Sequence, residues 1–200
     1  MILITEAEPK HRELYQKIDA ETFDLKIIYT WIAAHRSDYF YVLVAEAKPF
    51  MKNVARNITL IKAAGGLVKN NEGRYLFIFR QGRWDIPKGK VEKNEGIKEA
   101  AVREVEEECG IEVSKLGKKI CRTYHSYISR EEVVLKKTYW FKMRSNYTGK
   151  LKPQKEEGIT DVRWLYKDEM GIITQNTFPS IMEVLIKLDL TTSKAAPLQE

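Results

Sequence analysis

Residues 89–111 read Gly-Lys-Val-Glu-Lys-Asn-Glu-Gly-Ile-Lys-Glu-Ala-Ala-Val-Arg-Glu-Val-Glu-Glu-Glu-Cys-Gly-Ile. The stretch predicts a helix over residues 96–109, with Asn94 as its N-cap and Gly110 as its stop. Glu104, Glu107 and Glu108 then fall at i, i+3 and i+4 and share one face. Like charges at that spacing repel, and the C-terminal end of a helix dipole disfavours anions. Such a face needs either a compensating cation or full solvation. A hard divalent ion held by oxygen ligands meets the first need, with Mg²⁺ the leading candidate and Mn²⁺ an alternative. An exposed acidic helix meets the second. Ala100 and Ala101 lie on the same arc and leave room for close approach. Glu95 and Arg103 are spaced to brace the cluster, which favours the metal reading.

The same residues fill every defined position of the Nudix box, G-x5-E-x7-R-E-U-x-E-E-x-G-U, where U is bulky and apolar. They are Gly89, Glu95, Arg103, Glu104, Val105, Glu107, Glu108, Gly110 and Ile111. Most demand one fixed letter, and at roughly 5–7% per residue type a chance match is negligible. The chain therefore resembles the Nudix hydrolase family. A looser similarity covers residues 63–188 and opens on Ala-Ala-Gly-Gly-Leu-Val (63–68). The resemblance implies an α+β fold, an α/β/α sandwich around a mixed β-sheet. It implies hydrolysis of a nucleoside diphosphate linked to another moiety. It also implies that Glu104, Glu107, Glu108 and the Lys88 carbonyl bind one or more Mg²⁺ ions, with Glu95 and Arg103 as structural braces. The implied catalytic set is Glu104, Glu107 and Glu157, one of which orients or deprotonates water. Glu156 is the neighbouring alternative to Glu157, and an exposed acidic loop is the plain reading of both.

Arg-Gln-Gly-Arg-Trp-Asp-Ile-Pro-Lys-Gly-Lys (80–90) resembles the Trp-x-x-Pro-Lys-Gly stretch of Nudix hydrolases acting on dinucleoside polyphosphates. Related stretches occur in enzymes that sanitise oxidised nucleotides. Lys88 and Lys90 are candidates for the phosphate chain, as mobile point charges. Arg80 and Arg83 are further candidates, and Trp84 either stacks on a base or packs at a turn. Tyr124, His125, Tyr127 and Tyr139 fall on expected strands, and alternation puts Tyr124 opposite His125 and Tyr127. Which side faces a ligand stays open.

Three functions fit these features. The first is Mg²⁺-dependent hydrolysis of a phosphoanhydride in a long polyanion, a dinucleoside polyphosphate or a diphosphoinositol polyphosphate. The second keeps the reaction but takes ADP-ribose or an oxidised nucleoside triphosphate. The third is a non-catalytic nucleotide- or RNA-binding protein on a Nudix scaffold. The complete acidic set argues against the third, so the expected partner is a small polyphosphate rather than nucleic acid.

Composition agrees with a folded protein. The 200 residues are 44% hydrophobic and 31% charged, with a net charge of +6. Residues 136–155 carry seven basic residues and no acid, a distribution suited to a polyanion or simply to solubility. Cys109 and Cys121 make neither a disulfide framework nor a metal motif, which fits a reducing cytoplasm. No apolar run approaches a membrane span, and no signal peptide is visible.

The expected organisation is a small α/β appendage (1–60), the hydrolase domain (61–190) and a flexible tail (191–200). In the appendage, strands are expected at 2–4, 39–44 and 58–61, with helices at 10–20 and 49–57. Its Trp31, Tyr39, Phe40 and Tyr41 read as core or subunit contacts, compatible with a homodimer. Further on, strands are expected at 65–69, 75–79, 113–120, 122–128, 133–143 and 161–166. Residues 80–90 read as a loop, and 179–188 as a closing helix.

Overall fold

Along Tyr75–Arg80 successive side chains enter different cores: Leu76 and Ile78 enter one, Phe77 the other. Strands with apolar residues on both faces form a sheet covered on both sides. The computed structural model describes residues 2–9, 15–28, 39–56, 58–130 and 132–191. Its main elements are β1 (Ile2–Thr5), β2 (Gln16–Ile18), β3 (Phe40–Leu43), α1 (Ala47–Val54), β4 (Thr59–Asn70), β5 (Tyr75–Arg80), β6 (Arg83–Asp85) and β7 (Lys88–Lys90). They continue with α2 (Ile97–Cys109), β8 (Lys115–Ser129), β9 (Glu132–Ser145), β10 (Ile159–Leu165), α3 (Met170–Thr174) and α4 (Pro179–Lys187).

The chain divides into two compact units, Met1–Leu60 with Ser126–Leu135, and Ile61–His125 with Lys136–Glu200. In the first, β3 lies between β1 and β2 in a three-stranded parallel sheet. Phe40, Tyr41 and Val42 are buried, and the Tyr15 ring meets Tyr39 and Tyr41 edge-on at 5.9 and 6.4 Å. The helix expected over residues 10–20 is corrected here. Residues 10–14 lie outside the described residues, and Gln16–Ile18 is a strand paired with β3. Its sheet partner overrides the helical spacing of Leu14 and Ile18. Burial of Phe40 and Tyr41 makes them core, so they offer no aromatic surface to a second subunit. Trp31 and residues 192–200 lie outside the described residues.

The second unit is built on a sheet of order β10-β5-β4-β9-β8, with β6 paired to β5 and β7 to β4. On one face Ala64, Val68, Leu76, Ile78, Phe141 and Met143 pack with Ala100, Ala101, Val105 and Cys109 of α2. On the other, Leu67, Phe77, Trp140 and Leu165 pack with Met170, Ile173, Ile181, Val184 and Leu185 of α3 and α4. Each fully buried Val, Leu, Ile, Phe or Met side chain among them contributes about 1.5–3 kcal/mol. The result is an α/β/α sandwich around a mixed sheet.

Several expected boundaries change. The strands at 58–61 and 65–69 are one strand, β4. Gly65 does not break it, because glycine is what lets Pro87 and Lys88 approach: a Cβ there would overlap the Pro87 carbonyl oxygen. The expected loop at 80–90 instead carries β6 and β7, which pair antiparallel with β5 and β4. The strands at 113–120 and 122–128 merge into β8. Asn94 is not the N-cap: it sits in a left-handed turn at φ 67°, and Gly96 caps the helix. Helix α3 was not anticipated, since its five residues are too few to show a period.

Candidate active site

The box helix begins where Gly96 N–H donates to Glu99 Oε2 at 3.1 Å. It ends at Gly110, whose φ of 65° suits glycine. Its last carbonyls are not left to the acids. Lys152 N–H donates to the Cys109 carbonyl oxygen at 2.9 Å, and Gln154 N–H to that of Glu108 at 3.1 Å. The segment after β9 therefore closes the negative end of the helix.

The three box carboxylates lie on one face but in different surroundings. Glu107 is 48% exposed, Glu104 12% and Glu108 1%. Arg103 gathers the first two: its Nη1 is 3.0 Å from Glu104 Oε1 and 2.9 Å from Glu107 Oε2. The same guanidinium grips Glu95 with two bonds, Nε to Oε1 at 2.7 Å and Nη2 to Oε2 at 3.0 Å, and donates from Nη2 to the Lys90 carbonyl oxygen at 3.2 Å. Glu92 N–H also donates to Glu95. The Arg103 bond, then the Glu92 amide, hold the Glu95 carboxyl down at about 2.

Glu104 reaches β7. A Cβ on Gly89 would overlap the Glu104 carboxylate, so the glycine opens the space that Glu104 fills. Burial raises the Glu104 pKa, Arg103 lowers it, and the charges of Glu107 and Glu157 raise it further. Glu108 turns inward, where its Oε2 accepts the Lys88 N–H at 2.9 Å. Burial lifts its carboxyl to about 7 against the pull of Lys88. Glu157 is exposed on a single 3₁₀ turn, Lys155–Glu157, that ends at Gly158.

Beneath the acids lies an ion cluster that the sequence only hinted at, through one acid among four cations. Asp85 is 1% exposed. Its Oδ2 accepts Arg80 Nε at 2.8 Å and Lys88 Nζ at 2.6 Å, while Oδ1 accepts the Ile86 N–H at 2.8 Å. Arg80 and Lys88, expected to meet substrate, are thus already engaged. Trp84 is corrected too. It is 6% exposed, packs edge-on against Phe79 at 5.0 Å and lies under Arg163, so no open face is left for a base. Arg83 and Lys90 have exposed side chains, that of Arg83 lying over the Phe178 ring.

Ring contacts show which residues share a strand side. Lys137 lies over the Tyr124 and Tyr139 rings at 5.4 and 5.5 Å, on one face. Burial lowers the His125 pKa, and so do Lys136 and Lys88. The charges of the ion cluster thus reach His125. Tyr127 lies in the other compact unit. The Cys109 thiol is buried, which raises its pKa well above the usual value, and that of Cys121 is pushed up to about 11. Neither has the character of a nucleophile.

Among the described residues no three His, Cys, Asp or Glu side chains converge as a preformed metal cage. The donor chemistry nonetheless fits a hard cation. Two carboxylates share one guanidinium nitrogen, a positive charge standing where an ion would neutralise both. Glu108 adds a third carboxyl, whose burial gives it much to gain from a nearby cation.

Comparison with known proteins bears on this site. A family model described as NUDIX domain matches residues 59–185. Nudix hydrolase 10 of Arabidopsis thaliana is 37% identical over 65 residues, covering 32% of this chain and 24% of that relative. The match thus spans about a quarter of the relative's length. A MutT protein from Methanosarcina mazei Go1 shares 22% identity over 66% of this chain and 94% of its own, with a TM-score of 0.51. A NUDIX hydrolase from Nitrosomonas europaea shares 20% identity over 66% of this chain and 89% of its own, with a TM-score of 0.50. At these identities the two structures speak for the fold. Among the described residues no helix is long and apolar enough to cross a membrane.

Proposed function

We propose, because this chain belongs to the Nudix family, that it hydrolyses a phosphoanhydride bond in a nucleoside diphosphate-linked or other polyphosphate substrate. The observation that carries the reading is the Glu104 carboxylate seated in the space left by Gly89, beside Glu107 and Glu108 on one helix face. Carboxylates fixed on a helix hold their positions better than loop residues. Nudix hydrolases generally use divalent cations. An ion such as Mg²⁺, held by Glu104, Glu107, Glu108 and the Lys88 carbonyl, would neutralise phosphate oxygens and make a bound water easier to deprotonate.

The chain's own groups supply the rest. Glu104 takes the water proton, helped by the burial that raises its basicity. Glu157, whose charge acts on Glu104, is the second candidate base. Arg103 holds Glu104 and Glu107 in register and is itself fixed by Glu95. Lys90 and Arg83 have exposed side chains, the latter lying over the Phe178 ring, and are the further candidates for a phosphate chain. Arg80 and Lys88 contribute a positive floor through Asp85 rather than as free arms. A long polyanion, a dinucleoside polyphosphate or diphosphoinositol polyphosphate, suits this surplus of cations best.

The test is a panel of such compounds, ADP-ribose and oxidised nucleoside triphosphates, incubated with the full chain and Mg²⁺. Products are identified, and Glu104→Gln serves as control. Cleavage of one class that is lost in the variant supports the reading. Tight, salt-dependent RNA binding without any product would replace it with a binding role.

A further inference from the structure

The ion cluster holds more positive charge than its acids balance. Arg80 and Lys88 both depend on Asp85. Lys136 on β9 is a third cation beside them. It is only partly exposed, and its side chain has neither hydrogen bond nor ion pair among the described residues. Burial first, then the charges of Lys88 and Arg80, bring its pKa down to about 8, with Asp85 and Glu108 pulling the other way.

Its direction follows from the strand. Lys136 shares a face of β9 with Thr138 and Trp140. Trp140 Nε1 donates to Thr123 Oγ1 at 2.9 Å, so His125, two residues beyond Thr123 on β8, is on that face as well. Lys137 is on the opposite face, committed to Tyr124 and Tyr139. A half-buried ammonium with no ion-pair partner among the described residues is costly, and an anion from outside lowers the cost.

We propose that Lys136 is a substrate-binding residue whose ammonium receives an oxygen of the polyphosphate chain, beside the floor made by Arg80, Lys88 and Asp85. The proposal takes its ligand class from the hydrolase reading, but its test does not need turnover. The probe is methylenediphosphonate, whose P–C–P link resists hydrolysis, titrated with Mg²⁺ into the full chain by calorimetry.

Lys136→Met keeps the length of the side chain and removes its charge. It is expected to weaken binding by about 10- to 100-fold, the size of one charge-assisted contact. Lys136→Arg should restore most of the affinity, and Lys137→Met should leave it unchanged. Melting curves accompany each variant, and the arginine variant decides the question if Lys136→Met is misfolded. Where a substrate is turned over, KM should rise in Lys136→Met with kcat little altered. Equal affinity in wild type and Lys136→Met, no binding by wild type, or an equal loss in Lys137→Met each overturns the proposal. Lys136-dependent binding in a chain that cleaves nothing would retain Lys136 and remove the hydrolase reading instead.

Discussion

Replacing Asp85 by Asn tests whether the buried ion cluster supports the site. The substitution keeps the shape but leaves Arg80 and Lys88 facing a neutral amide. Their side chains are only 18% and 9% exposed, so water compensates little. Breaking a buried ion pair by removing one partner costs about 3–5 kcal/mol. The amide oxygen still accepts one bond and Arg80 retains some water, so the lower end, about 3 kcal/mol, is expected. For a chain of this length that lowers the melting temperature by about 6–12 °C. Urea unfolding followed by circular dichroism measures the loss directly. A double variant, Asp85→Asn with Lys88→Met, should recover part of it, because the uncompensated ammonium is gone. A loss below about 1 kcal/mol, the scale of an exposed ion pair, or a double variant worse than the sum of its parts, would refute the reasoning.

Gly89→Ala places a methyl group against the Glu104 carboxylate. Steady-state kinetics should show turnover falling about 100-fold, as for a group displaced by 1 Å, with the far-ultraviolet spectrum unchanged. Glu95 has its carboxyl lowered from 4.5 to about 2 in the folded chain, so its stabilisation is present above pH 4.5 and is lost as pH falls through about 2. Glu95→Gln should therefore flatten the stability profile over that window, and an unaltered acid-unfolding curve would count against the Arg103–Glu95 bond. Trp140→Phe removes the bond to Thr123 and leaves a buried hydroxyl unpaired. Urea titration should show a loss of about 1–3 kcal/mol, and no loss would mean that the hydroxyl finds another partner.

How far the chain could be read in advance differs from place to place. The box helix was legible almost to the residue because its signal is local: a stop glycine, a periodic face and acids at fixed spacing. The chain entry was not, because Asn94 offers a good cap chemically but lies in a left-handed turn. The segment 80–90 was misread as a loop because β6 and β7 are three residues each and exist only through pairing with β5 and β4. Trp84 and Asp85 are adjacent in sequence, yet one fills a core and the other anchors two cations.

Sequence alone determined the family resemblance, the acidic helix face and the helix stop at Gly110, since these depend on residue type and near-neighbour spacing. Tertiary structure decided which charges are available. Folding brings β7 under α2 and β9 beside the ion cluster, committing Arg80 and Lys88 to Asp85, sharing Arg103 among Glu95, Glu104 and Glu107, and leaving Lys136 half-buried. Burial and counter-ions set the free energy of a charge, and both come from residues far away along the chain.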